Sequence, residues 1–90
     1  MIDPFLTLKY GNILEVDVHG KTLEEARAEL LYQLGRVDCD VNGLLVVHGY
    51  HKGTTIKNYI RNSFCDRRVI KIVNLNAGST LLVLAENIAI

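Results

Sequence analysis

The amino-acid sequence predicts an α/β fold, a two-layer sandwich in which two helices pack on one face of a mixed four-stranded sheet. Four strand-length segments are rich in apolar residues. Two amphipathic segments with helical spacing separate the first three of them. The last two segments follow each other through residues that suit a hairpin turn. The element order is therefore βαβαββ, and right-handed crossovers place both helices on the same face.

The first predicted strand alternates between apolar and polar side chains, with Leu14, Val16 and Val18 set against Glu15, Asp17 and His19. This period of two places Asp17 and His19 on the same side of the strand. Thr22 and Glu25 then form a predicted capping box that begins a helix. The helix buries one apolar stripe: Leu23, Ala26, Leu30, Leu31, Leu34 and Val37.

The second half of the chain supplies three more strands and a helix. Residues 44–47 form an unbroken apolar run, as expected of an interior strand. A helix is predicted to begin at Thr54 or Thr55, with Lys57 and Arg61 on its solvent face and an apolar face of Ile56, Tyr59, Ile60 and Phe64. Residues 69–73 and 80–84 are the last strands, joined through a loop over 74–79.

Length and composition predict one folded domain over residues 1–90, with its core in 14–85. The chain has 90 residues, of which 49% are hydrophobic, and no formal net charge. The opening residues lack the pattern of a secretory signal, and no apolar run is long enough to span a bilayer, so we expect a cytoplasmic protein without membrane contact. Cys39 and Cys65 are predicted to be ordinary thiols.

Charge is distributed unevenly along the chain. Residues 1–45 contain four basic and eight acidic side chains, whereas residues 46–90 contain six basic and two acidic ones. An anionic partner is therefore expected to bind the second half.

The segment Asp17-Val18-His19-Gly20 is the first candidate for chemistry, because it ends a strand just before a helix. A carboxylate beside an imidazole sets the tautomer of the ring and prepares it for proton transfer. The alternative is that Asp17 and His19 are merely polar residues on a solvent face. A three-residue pattern by itself favours that alternative.

The second candidate is the segment from His48 to Thr54, which again lies between a strand and a helix. Its glycines allow close backbone approach, and a helix start attracts anions, with further charge from Lys52, Lys57 and Arg61. A tight turn without a ligand explains the same residues equally well. The three histidines with Asp17 have no spacing that is specific for metal, so no metal ligand is assigned.

These segments together resemble the small MutS-related (Smr) domain family, and the chain is identified as a free-standing member. Residues 16–20 are similar to the first Smr signature, L-D-L-H-G, and Val47-His48-Gly49 with Gly53 resembles the second, an H-G-x-G-like element. The third Smr element, G-G-x-G, is matched here only by Gly78. The resemblance covers residues 16–84 and implies a fold like that of the C-terminal domain of translation initiation factor three.

The resemblance implies binding of DNA or RNA, with nicking endonuclease activity in relatives. The catalytic candidates are Asp17, His19 and His48, with His19 as general acid or base oriented by Asp17. The phosphate-binding candidates are Gly49, His51, Lys52, Gly53, Thr54, Lys57, Arg61 and Gly78. If a divalent metal such as magnesium takes part, Asp17 is the expected ligand.

Two other functions are compatible with these residues. A non-catalytic adaptor would bind nucleic acid or a ribosome by shape and charge, and a small-molecule hydrolase would need a larger enclosed pocket than so small a domain offers. A homodimer is also a prediction, because apolar residues at both termini would cover the open sheet face or pair with a second chain: Phe5, Leu6, Leu8, Tyr10, Ile88 and Ile90.

Overall fold

The structure is a computed structural model that describes residues 4–38, 40–49 and 54–85, with the backbone alone described at Thr54. Seven elements follow one another: α1 (Pro4–Tyr10), β1 (Ile13–Asp17), α2 (Leu23–Arg36), β2 (Gly43–Val47), α3 (Thr54–Asn62), β3 (Val69–Asn76) and β4 (Ser79–Leu84). The predicted order βαβαββ is confirmed, and a short helix precedes it. None of the helices in these ranges is long and apolar enough to cross a membrane.

The sheet has the strand order β1-β2-β4-β3, with β1 parallel to β2 and β4 antiparallel to both of its neighbours. It is therefore mixed, as predicted. Asp17 pairs with Val47, which pairs with Ser79, which in turn pairs with Asn76. This register brings three strand ends and the start of β4 to one edge, which we call the rim (residues 17–20, 48–49 and 76–78).

The core lies between the sheet and the helices α2 and α3, which share one face of it. Its members are Val16, Val18, Ala26, Leu30, Leu34, Leu44, Val46, Ile56, Ile60, Phe64, Leu82 and Leu84. Full burial of one such side chain contributes about 1.5–3 kcal/mol. The predicted placement of both helices on one face is confirmed, and the core fixes the direction in which β1 and β2 approach the rim.

The capping box at the start of α2 is present as predicted. The hydroxyl of Thr22 accepts the Glu25 backbone N–H at 3.1 Å, and the Glu25 carboxylate accepts the Thr22 N–H at 2.9 Å. The Thr22 backbone N–H, followed by the Thr22 hydroxyl, lowers the pKa of the Glu25 carboxyl by hydrogen bonding to it. The box fixes where the chain leaves the loop after His19 and enters the helix.

Two predicted boundaries are wrong. The helix α3 ends at Asn62, so Phe64 is buried from the following turn, where its N–H donates to the Tyr59 carbonyl at 2.7 Å. The loop predicted over 74–79 shrinks to Ala77 and Gly78, because the strand ladder continues to Asn76. The Asn76 side chain closes this turn by accepting the Gly78 N–H at 2.9 Å.

The sequence did not predict helix α1, which begins at Pro4, a residue suited to a first helical position. Leu6 on this helix lies over the sheet face opposite α2 and α3, which confirms part of the predicted cover. Phe5 and Leu8 remain 68% and 86% exposed. Ile88 and Ile90 lie outside the described residues, and homodimerisation stays a prediction.

Candidate nucleic-acid interface

Asp17 and His19 form a pair at the end of β1. The Asp17 Oδ1 atom accepts the His19 backbone N–H at 3.0 Å and contacts the ring Nδ1 at 2.5 Å. The ring bond is the main cause of a lowered Asp17 pKa, followed by the backbone bond. Both side chains are exposed, with 54% of Asp17 and 67% of His19 accessible. Because Nδ1 is held by the carboxylate, Nε2 is the nitrogen that can exchange a proton with a bound molecule.

The second loop lies directly against this pair. The Val18 N–H donates to the Val47 carbonyl at 2.9 Å, which continues the contact between β1 and β2 beyond Asp17. Gly49 has φ +75°, and a Cβ at this position would lie 3.4 Å from the His19 Cβ. Glycine therefore satisfies both the backbone conformation and the close approach of the two loops.

The turn at Gly78 joins the same site. Its carbonyl accepts the backbone N–H groups of His48 at 2.9 Å and Gly49 at 3.1 Å. The three segments that the sequence singled out are therefore connected by hydrogen bonds and contacts along the rim.

His48 is buried, with 1% of its surface accessible, and both ring nitrogens are bonded. Nδ1 lies 2.9 Å from the Gly49 carbonyl, which can only accept, so Nδ1 carries the proton. Nε2 lies 3.0 Å from the Thr80 hydroxyl, and that hydroxyl also accepts the Arg61 Nε–H at 2.9 Å. Hydrogen bonds therefore run in one direction from Arg61 through Thr80 and His48 to Gly49, which we call the relay.

Burial lowers the pKa of His48, and the positive charges of Arg61 and Lys57 lower it further. A neutral ring is also what the relay requires, because Nε2 must accept from Thr80. The sequence predicted a catalytic His48. The structure favours a positioning role instead, since a buried ring with two satisfied nitrogens holds the loop beside His19.

The solvent-facing position predicted for Arg61 is wrong. Besides the bond to Thr80, its guanidinium donates from Nη2 to the carbonyls of Asn76 at 2.6 Å and Ser79 at 3.2 Å. Planar guanidinium donors suit such a set of acceptors. Arg61 therefore ties α3 to the β3–β4 hairpin, while its charge stays at the rim.

The other predicted phosphate-binding residues are placed only in part. His51, Lys52 and Gly53 lie outside the described residues. The α3 backbone begins at Thr54, and the half-buried Lys57 lies close enough to His48 to affect its pKa. Across the described ranges, no group of three His, Cys, Asp or Glu side chains could hold a metal ion.

The sequence patterns did not indicate that Thr80, Asn76 and Ser79 belong to this site. Thr80 is the second residue of the mostly apolar strand β4, where threonine is typical of β structure. Its partners Arg61 and His48 lie 19 and 32 residues away in the chain, so local patterns carry no signal for the relay. The relay follows only from the strand register, which sets Thr80 opposite Val46.

Because His48 is buried and neutral, we expect the folding stability to fall in mild acid. The pKa of His48 in the folded protein lies below its ordinary value of 6.5, so the unfolded chain takes up a proton first. The stability contributed by neutral His48 is complete above pH 6.5 and is lost as the pH falls below that value. Urea unfolding between pH 7.5 and 5 measures this loss.

Two substitutions separate His48 from other groups. His48→Gln cannot titrate, so we expect lower stability at pH 7.5 but a flatter dependence on pH. Asn58→Gln changes an exposed residue of α3 that does not titrate and should keep the dependence of the wild type. If the free energy of unfolding depended on pH equally in the wild type and in His48→Gln, His48 would not be a neutral, buried ring in the folded protein.

Comparison with known proteins supports the fold. No protein-family model matches the chain, and no curated protein matches it. Among solved structures, it is similar to the Smr domain of Thermus thermophilus MutS2, with a TM-score of 0.69 and 29% identity. The match covers 80% of this chain and 98% of that one. The fold, the rim motifs and this similarity together identify the chain as an Smr-like domain.

Proposed function

We propose that this domain binds DNA or RNA along the rim and cleaves a phosphodiester bond there, with Asp17 and His19 as the proton-transfer pair. One observation carries the proposal: the exposed imidazole of His19, which Asp17 orients, lies against the loop at Gly49. Backbone that can approach a phosphate closely thus lies beside a group that can move a proton.

The charges around the rim favour an anionic ligand. The start of α3 presents backbone N–H groups and the positive end of a nine-residue helix. The charges of Lys57 and Arg61 both reach His48 and depress its pKa.

The geometry supports a specific catalytic step for His19. Its Nε2 takes a proton from water as the oxygen of that water bonds to phosphorus, and the bond to the leaving oxygen breaks. The imidazolium then returns the proton to the leaving oxygen. Asp17 stabilises the charged ring through Nδ1 and keeps Nε2 directed to the reaction. Such acid–base catalysis contributes about a hundredfold to ten-thousandfold in rate.

A non-catalytic adaptor is the second candidate function. The observation that favours it is the relay, because it occupies both nitrogens of His48 and leaves His19 as the one exposed imidazole among the described residues. The turn at Ala77 and Gly78 also has one glycine, fewer than the G-G-x-G element that Smr domains carry there.

One assay distinguishes the two candidates. Purified protein is incubated with labelled single-stranded and duplex DNA and RNA, with magnesium, manganese or chelator, and binding and cleavage are measured together. Cleavage that His19→Ala removes supports the enzyme. Tight binding without cleavage under every condition supports the adaptor, and the absence of binding contradicts both.

Substitution of Lys52 and Lys57 by Gln should weaken nucleic-acid binding for all sequences and reduce its dependence on salt. Each lost phosphate contact lowers the slope of log affinity against log salt by about 0.9 on duplex DNA and about 0.7 on single strands. Titrations at several salt concentrations measure the slope. Arg61 is left unchanged, because its loss would break the relay.

A matched control removes two charges at the other end of the sheet. Lys71 pairs with Val83, which in turn pairs with Gly43 at the start of β2. Lys9 lies in the last turn of α1. Lys9→Gln with Lys71→Gln should leave the salt slope close to that of the wild type. If this control lowers the slope as much as the rim substitutions do, the binding surface is wrongly placed.

A further inference from the structure

A cleft of 320 Å³ lies on the open face of the sheet, beside the rim. Its apolar part is formed by Leu6 of α1, Leu45 and Val47 of β2, and Leu75 of β3. The volume is at the lower end of the range for small-molecule pockets, which begins at about 300 Å³. The cleft therefore has room for one ring-sized group in contact with aliphatic side chains.

Polar groups lie along one side of this cleft. The Asn76 amide is oriented by its bond to the Gly78 N–H, and Ser79 adds a hydroxyl that can donate or accept. The aliphatic side chains that line the cleft disfavour a phosphate inside, because a charged group would lose its hydration there. The occupant should therefore be uncharged and carry hydrogen-bonding groups on its edge.

The position of the cleft connects it with the Asp17–His19 pair. Glu15 precedes Asp17 by two residues on the same side of β1, and Val47 pairs directly with Asp17. The cleft thus opens below the site where a phosphodiester would react. A nucleotide at the rim would place its phosphate towards α3 and its base towards the open face.

We propose that the cleft binds one unstacked nucleobase of a single-stranded segment. Bases displaced from a stack are commonly held between apolar or aromatic side chains and recognised on their edges. The proposal rests on the function proposed above, since it places the base of a nucleotide whose phosphate lies at the rim. It assigns Asn76 and Ser79 as the residues that read the base edge.

The test compares two sets of short oligonucleotides with the same number of phosphates. One set carries bases, and the other carries abasic sites at every position. We expect the wild type to bind the base-containing set about tenfold more tightly, the scale of a single sequestered base. Equal affinity for the two sets would overturn the base site while leaving phosphate binding intact. Failure to bind either set would instead count against the proposed function itself.

Ser79→Leu fills the cleft with an aliphatic group and leaves the backbone carbonyl that Arg61 contacts. This variant should lose the tenfold preference, with affinity for abasic strands changed less than about twofold. A second measurement uses the wild type alone, in case the variant does not fold. Free adenosine, guanosine, cytidine and uridine should shift the methyl resonances of Leu45 and Leu75. Methyl resonances that do not move with any of the four nucleosides would overturn the proposal.

Discussion

His19→Ala is expected to lower the rate of phosphodiester cleavage by about a hundredfold or more, the usual scale for loss of a general acid–base group. Among the described residues the other imidazole is that of His48, which is buried and bonded through both nitrogens. It cannot replace His19 without breaking the relay. Single-turnover cleavage of a labelled strand measures the effect.

Binding provides the control for this substitution. Because the proposed phosphate contacts are those of Lys52, Lys57, Arg61 and the start of α3, His19→Ala should change affinity little. Asp17→Asn retains the shape but removes the charge that orients the ring, so it should lose rate without losing affinity. Cleavage by His19→Ala at the wild-type rate would show that His19 transfers no proton.

Of the substitutions proposed for this protein, Thr80→Val is expected to cause the largest loss in the free energy of unfolding. The substitution keeps the size and strand propensity of the residue but leaves His48 Nε2 without its donor and Arg61 Nε without its acceptor. Each unsatisfied buried group costs about 1–3 kcal/mol, so we expect a loss of roughly 2–4 kcal/mol in the free energy of unfolding. Denaturant titration at pH 7.5 measures it.

Thr80→Ser is the matched control, because it preserves the hydroxyl and removes one methyl group. It should retain most of the stability that Thr80→Val loses. Thr55→Val tests the same chemical change on the exposed surface of α3 and should have little effect. If Thr80→Val is as stable as the wild type, the hydroxyl is not a necessary link between Arg61 and His48.

Much of the sheet could be predicted from the sequence, because strand alternation and apolar runs report directly on burial. The alternation around Val16 placed Asp17 and His19 on one side, and the capping box at Thr22 marked the start of α2. Both features depend on residues within a few positions of one another. Local spacing is sufficient for them.

The relay could not be predicted in this way, because it depends on the register of β2 against β4. The basic side chain of Arg61 appeared solvent-facing when the helix was considered alone. Only the packing of α3 on the hairpin turns its guanidinium to Asn76, Ser79 and Thr80. Helix α1 was missed for a related reason, since seven residues are too few for a periodic signal.

The most direct measurement is a map of backbone amide shifts as a short single-stranded RNA or DNA is added to isotopically labelled protein. If nucleic acid binds the rim, the largest changes fall on residues 17–20, 48–49 and 76–78 and at the start of α3, and they weaken as salt is raised. The strand ends around Gly43 and Lys71 should remain nearly unchanged. Changes centred on that opposite edge, or no changes with any strand, would contradict the account.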